Sequence, residues 1–339
     1  MPSASTSASS IATIFFIIIR PFSFALFLRG QGALDGYARQ IAQPPGHRAD
    51  LIVRTFDDQP DHSMTRFLIR ATMGDVTDPR QAARLDRNRR IGVGHLGVQG
   101  FLVRQGVRYS EAPASERFRD LLGRLQSTVR TEARHFAFAL RIPEPVKVTT
   151  VAPTGTVAKM PGATEGIHPI YARYFVRRIR FSTLRPEEAA QVEEFRAQGY
   201  RVEEDLYADN TLVVEIPTKE RLVADVEAMG YSPEIVESAD EIPLADMLAF
   251  QAVYQEHYAD NAVSYTVNVP EGHYSLGRVA RTLGEFLPVL KGTTLMPDGT
   301  RPQAPYERLT AEEFEALQDV AVIDDSYDEL CASGACPVK

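Results

Sequence analysis

Residues 146–181 read VKVTTVAPTGTVAKMPGATEGIHPIYARYFVRRIRF, and the opening of this stretch decides the architecture. From Pro145 to Pro153 the chain is β-branched and alternating. Val146, Val148 and Thr150 fall on one side and Lys147, Thr149 and Val151 on the other, the period of a strand that ends at a proline. Pro153, Thr154, Gly155 and Thr156 come next, and GTVAKM opens a helical pattern. A strand, a short Gly/Thr turn and a helix N-terminus present unpaired backbone N–H groups and a positive dipole end, which suit a phosphate. Thr and Gly are also common caps, so taken alone the turn reads more simply as an ordinary strand-to-helix connection.

Outward from this stretch the pattern alternates between helical and extended. Phe118, Leu121, Leu122, Leu125, Val129, Ala133 and Phe136 form an apolar stripe at three- and four-residue steps, predicting an amphipathic helix over 116–140. TLVVEI (211–216) and AVSYTVNV (262–269) read as strands, each followed by a helical pattern at 219–229 and 275–290, the second capped by Ser275. Thr310 and Glu313 form a capping box opening a last helix. Strands separated by long helices imply parallel pairing, because a parallel crossover needs a dozen or more residues. After Ile323 the chain becomes DDSYDELCASGACPVK, without apolar period, and reads as a flexible tail.

The net charge of −8 and the acidic pI near 5.5 argue against nucleic-acid binding, which needs clustered Lys and Arg. The two cysteines, Cys331 and Cys336, cannot form a disulfide framework, and a reducing, cytoplasmic compartment fits them. Seven scattered histidines, none three or four residues from another on a helix face, give no metal-ligand spacing. Residues 11–30 are apolar but interrupted by Arg20 and Pro21, a poor membrane span. The acid-poor, Ser-rich start also fits a transit peptide or processed signal. The simplest expectation is that residues 1–61 are divergent from, or not native to, the fold.

Three further motifs have competing readings. Gly92, Gly94 and Gly97 make a literal G-x-G-x-x-G, but the preceding DPRQAARLDRNRR is helical and charged and Glu111 lies in a loop, so the dinucleotide reading fails on context. Close helix packing explains these glycines instead. Arg173, Arg177, Arg178 and Arg180 could clamp a phosphate, although a solvated or salt-bridged strand face is the better reading. Asp260-Asn261-Ala262-Val263-Ser264 reads as structural, with Asn261 bonding local backbone.

Lys147 to Thr156, then Gly162, Gly166, Ile167 and His168, the NRRIG run Asn88 to Gly92, the DNAVS segment and the C-terminal Cys331/Cys336 pair together resemble the adenosylcobalamin-dependent (class II) ribonucleotide reductases, of the ribonucleoside-triphosphate type. The resemblance runs from about Thr65 to Lys339. It implies the C-terminal half of a ten-stranded α/β barrel over 62–323 and a redox tail over 324–339. It implies that Pro153, Thr154, Gly155 and Thr156 hold the phosphates of a ribonucleotide substrate. Cys331 and Cys336 would re-reduce an active-site disulfide and then be reduced by a thioredoxin-like protein. The implied cofactor is adenosylcobalamin. The family's thiyl-radical cysteine and its two partner cysteines have no counterpart, since both cysteines of this chain lie in the tail. The expectation is therefore a portion that is inactive alone and completed by a missing N-terminal half. The alternative is a non-catalytic nucleotide-binding relic or regulatory fragment of such a reductase. No nucleic-acid or membrane partner is expected.

Overall fold

The structure, a computed structural model, describes residues 59–155, 158, 162–298 and 301–323, with two short strands nearer the N-terminus, β1 (Phe15–Ile18) and β2 (Ser23–Phe24). Helix α1 (Gln59–Ala71) leads to α2 (Pro79–Asn88), which Asp78 caps by accepting the Arg80 N–H at 2.9 Å. Strand β3 (Val93–His95) and the short α3 (Val98–Arg104) follow, and then α4 (Glu116–Leu140). The predicted stripe is the buried face of α4: Phe118, Leu122, Leu125, Val129 and Ala133 are all inside. Ser115 caps its start and Arg141, left-handed at φ 55°, ends it. On its flank the buried Glu132 takes His62 at 3.0 Å and Arg66, both from α1, so the one carboxylate inside this interface is paired.

The long strand β4 (Tyr174–Ser182), α5 (Pro186–Ala197), β5 (Arg201–Glu204), β6 (Thr211–Lys219) and α6 (Arg221–Ala228) come next. They are followed by α7 (Leu244–His257), β7 (Thr266–Pro270), α8 (Leu276–Phe286) and β8 (Thr294–Asp298). Strand β9 (Tyr306–Arg308), α9 (Ala311–Glu315) and β10 (Val322–Ile323) close the described chain. Both predicted caps are present: Ser275 accepts the Arg278 N–H, and Thr310 and Glu313 bond reciprocally.

Two layers of strand result. In the first, β3, the extended segment 148–151, the segment 263–270 containing β7, and β8 run side by side and parallel. Val93 N donates to Val148 O and Thr150 N to Val93 O, each at 2.8 Å, and Ser264 N donates to Val151 O at 3.1 Å. Helices connect these segments, as parallel crossovers require. β1 lies antiparallel on the other edge of β3, Phe16 opposite Gly94. The second sheet has the order β10-β6-β4-β9, with β5 also on β6. Here the parallel expectation is overturned for the strand at 211–216. β6 pairs antiparallel with β5, because the connection 205–210, with Asn210 left-handed, is too short for a crossover; it is antiparallel to β4 as well, although α5 intervenes, and parallel to β10 at Thr218 and Lys219.

Gly94 and Gly97 of the G-x-G-x-x-G run are explained by a strand contact and a turn rather than by helix packing. A Cβ on Gly94 would lie 2.8 Å from Thr150 O, so the absent side chain lets β3 approach segment 148–151. Gly97 adopts φ 75° at the turn into α3. The sheet itself is closed by α7, buried on nearly every side. Gln251 on it donates to Gly292 O at 2.7 Å, and Gln255 donates to Ala259 O at 2.8 Å and Asn261 O at 3.0 Å. These amides satisfy backbone at the sheet's end that would otherwise be buried without partners. Asn261 is not a local bonder: its side chain donates to Ile91 O at 3.1 Å and Thr149 O at 2.8 Å, spanning the neighbouring segments. Asp260 beside it accepts from Val148 N at 2.9 Å and from Arg130.

Candidate phosphate-binding turn

Segment 148–151 ends at Ala152, and the chain turns at Pro153, Thr154 and Gly155. Thr154 is left-handed at φ 60° and buried. A β-branched residue reaches that region only when its surroundings impose it. Two contacts impose it here. Thr154 O accepts the Ala158 N–H at 2.9 Å, closing a helical turn. Thr154 Oγ1 accepts the Gly166 N–H at 2.7 Å, which ties the turn to the loop 162–168. Pro153 and Gly155 are exposed.

The loop 162–168 is wedged between this turn and the start of α3. Gly97 N donates to Thr164 O at 2.8 Å and Val98 N to Gly166 O at 3.3 Å. Gly166 has φ 50°, and a Cβ there would fall 2.7 Å from Ala152 O, so both its backbone angle and its surroundings demand glycine. Glu165 holds its carboxylate 3.7 Å from where a Cβ on Gly155 would lie, which places a negative charge beside the turn.

Behind the loop sits a ring stack. His168 stacks on Tyr265 at 4.7 Å between centroids, the rings nearly parallel, and its Nε2 accepts the Thr266 N–H at 3.0 Å. Burial lowers the His168 pKa to about 4, so the ring is neutral at pH 7 with its hydrogen on Nδ1. Burial also pushes the Tyr109 and Tyr265 hydroxyls up, and both stay protonated. Tyr109 OH donates to Ile167 O at 2.8 Å, so of the Tyr109–Tyr265 pair, 2.8 Å apart, Tyr265 is the donor. The loop that buttresses Thr154 is thus anchored at both ends of residues 166–168.

The candidate arginines do not converge on the turn. Arg173 forms two 2.8 Å bonds with Glu241, Arg178 is held between Glu215 and Glu307, and Arg180 pairs with Asp205. Arg178 and Arg180 form a salt-bridged face of β4 and Arg173 pairs just before it, so these three are committed to carboxylates rather than to a phosphate clamp. Thr156, Cys331 and Cys336 lie outside the described residues. Sequence reasoning missed Glu165, Tyr109 and Tyr265 as parts of this region. Gly162, Gly166, Ile167 and His168 had a signal, through the family pattern. Among the described residues no helix is long and apolar enough to cross a membrane.

Parallel strands joined by helices, a buttressed Thr-Gly turn at a strand's C-terminal end and a second sheet alongside define a mixed α/β barrel portion. Residues 146–284 match the family model "Ribonucleotide reductase, barrel domain", and the chain belongs to the ribonucleotide reductase family. It is 53% identical over 280 residues to a proposed adenosylcobalamin-dependent ribonucleoside-triphosphate reductase of Mycobacterium phage D29, covering 81% of this chain and 40% of that protein. It is 30% identical over 290 residues to the adenosylcobalamin-dependent ribonucleoside-triphosphate reductase of Lactobacillus delbrueckii subsp. bulgaricus, covering 75% of this chain and 37% of that protein. The crystal structure of a B12-dependent (class II) ribonucleotide reductase superposes with a TM-score of 0.64 at 28% identity, covering 83% of this chain and 40% of that one. The chain therefore spans about 40% of the length of the relatives it matches.

A corrin needs a broad face, and two cavities among the described residues can be compared with that need. The cavity under α4, lined by His95, Phe101, Phe118 and Tyr254 among others, holds about 20 Å³, scarcely one water. A groove of about 1020 Å³ is open, runs along α4 and is lined chiefly by charged side chains, including Glu116, Arg117, Asp120 and Arg124. Neither fits the cofactor in the relatives' names, and no step is routed through it in this chain.

Proposed function

We propose that this chain supplies the second half of the barrel of a ribonucleoside-triphosphate reductase, with Pro153, Thr154, Gly155 and Thr156 receiving the substrate's phosphates. The observation that carries this reading is the turn itself: a left-handed, buried Thr154 at the C-terminal end of a parallel strand, where α/β folds bind ligands. The barrel portion is 62–323 and the redox pair lies in the tail 324–339, while 1–61 are a segment divergent from the family, within which β1 pairs with β3.

The overall chemistry replaces a ribose 2′-hydroxyl by hydrogen. Water leaves, and two electrons come from a dithiol that becomes a disulfide. A thiolate of the Cys331/Cys336 pair attacks that disulfide, its partner resolves the mixed disulfide, and the tail is left oxidised until a thioredoxin-like dithiol reduces it. Since both cysteines lie in the tail, the cysteine radical and its two partner thiols would come from a partner that bears the first half of the barrel. A reducing cytoplasm suits this exchange.

The phosphate role is tested by titrating the full chain with inorganic tripolyphosphate, followed by calorimetry. Thr156→Glu sets a carboxylate against the bound phosphates at the helix start and is expected to weaken binding at least tenfold. Unchanged affinity in that variant would place the phosphates elsewhere.

A further inference from the structure

Thr154 has three properties that are costly apart and coherent together. It is a β-branched residue at φ 60°, it is 8% exposed, and its hydroxyl accepts a 2.7 Å hydrogen bond from Gly166 N. Without that bond nothing at the side chain would oppose relaxation of the backbone toward ordinary angles. Gly166 in turn cannot move away freely. Its own carbonyl accepts from Val98 N at the start of α3, and its Cα faces Ala152 O so closely that a Cβ would fall at 2.7 Å. Ile167 and His168, next along, are fastened to Tyr109 and to Thr266 N. The strain at residue 154 is therefore held by a chain of contacts reaching two strands and a helix.

We propose that Thr154 is a positioning residue: its hydroxyl, tied to Gly166, holds the 153–155 turn in the shape that receives a phosphate before any ligand arrives. This rests on the phosphate-turn reading above and adds that the turn is preorganised from the 162–168 side. Thr154 acts through Gly166 rather than on the reacting atoms. A preset turn avoids the ordering cost that a flexible one would meet on binding.

Three full-length chains decide it: wild type, Thr154→Val, which keeps the branched shape but cannot accept the bond, and Thr154→Ser, which keeps the hydroxyl. Amide exchange at Gly166, melting temperature and tripolyphosphate affinity are measured for each. The expected result is faster Gly166 exchange and about tenfold weaker binding for T154V at a nearly unchanged melting temperature, with T154S restoring both. Wild-type binding matched by T154V, or Gly166 exchange unaltered in T154V, would overturn the positioning role while leaving the phosphate turn in place. Absence of tripolyphosphate binding in wild type would remove the phosphate reading, and this proposal with it. If T154V melts much lower, T154S becomes the deciding chain: weak binding despite a protected Gly166 amide would equally overturn the proposal.

Discussion

His95 and His168 are bases that the fold holds neutral. The His95 ring lies 4.2 Å from that of Tyr258 and close to Tyr254, and burial lowers its pKa from 6.5 to about 3; burial brings His168 to about 4. The unfolded chain binds these protons near pH 6.5 and the folded chain does not. Their contribution to stability is therefore full above that pH and lost as pH falls toward the folded values. Each histidine adds a slope of about 1.4 kcal/mol per pH unit in that window. His95→Phe should flatten the fall of urea-unfolding free energy between pH 6.5 and about 4 by roughly that amount, whatever it does to stability at pH 7. A slope equal to wild type would mean that His95 is already protonated in the fold. None of this was legible in the sequence. Seven scattered histidines reveal no metal spacing, but which are buried depends on Tyr254 and Tyr258, over 150 residues further along. The same holds for the candidate turn: PTGT announces a strand-to-helix connection, whereas the strain at Thr154 depends on Gly166 and on α3.

At the scale of elements, legibility follows from how many sides of an element are covered. α4 buries one face and α8 half-buries Val279, Leu283 and Phe286 against the core, and each leaves a stripe in the sequence, so both were foreseen. α7 leaves none, since nine of its fourteen residues are buried around its whole circumference, and no periodicity marked it. The arginines of β4 read as a salt-bridged strand face, but their partners were not legible. Arg178 and Glu215 stand opposite each other on β4 and β6, each with a side chain 9% exposed. Arg178→Ala strands Glu215 with only the more distant Arg201, at 3.4 Å, and should cost about 3 kcal/mol in chemical unfolding. The double variant Arg178→Met, Glu215→Leu should recover most of that loss, because an apolar pair needs no desolvation of charge. Tripolyphosphate affinity should be unchanged in both, as expected of a structural ion pair; a parallel loss of binding would revive the clamp reading of these arginines.

At the scale of the whole molecule, the parallel layer makes the shape of half a barrel, and the match to about 40% of each relative's length has the same meaning. The chemistry divides in the same way. The turn that would receive phosphates and the cysteine pair are in this chain, and a thiyl cysteine is not. The chain alone should therefore give no deoxynucleotide from ribonucleoside triphosphates with adenosylcobalamin and a dithiol; product above a no-protein control would refute this division. When a chain bearing the first half of the barrel is supplied, the tail can be tested separately from the chemistry. Cys331→Ser or Cys336→Ser should leave a single turnover intact, since the active-site dithiol starts reduced, and should stop repeated turnover with thioredoxin, because only re-reduction is lost. A small dithiol that enters the site directly should restore repeated turnover. Asp324, Asp325, Asp328 and Glu329 precede Cys331 closely in sequence and should disfavour its thiolate, so the tail-dependent rate should rise with pH more steeply than the rate with the small dithiol. Loss of single-turnover product in either cysteine variant would make the tail part of the chemical step, and its assignment as a shuttle would fail.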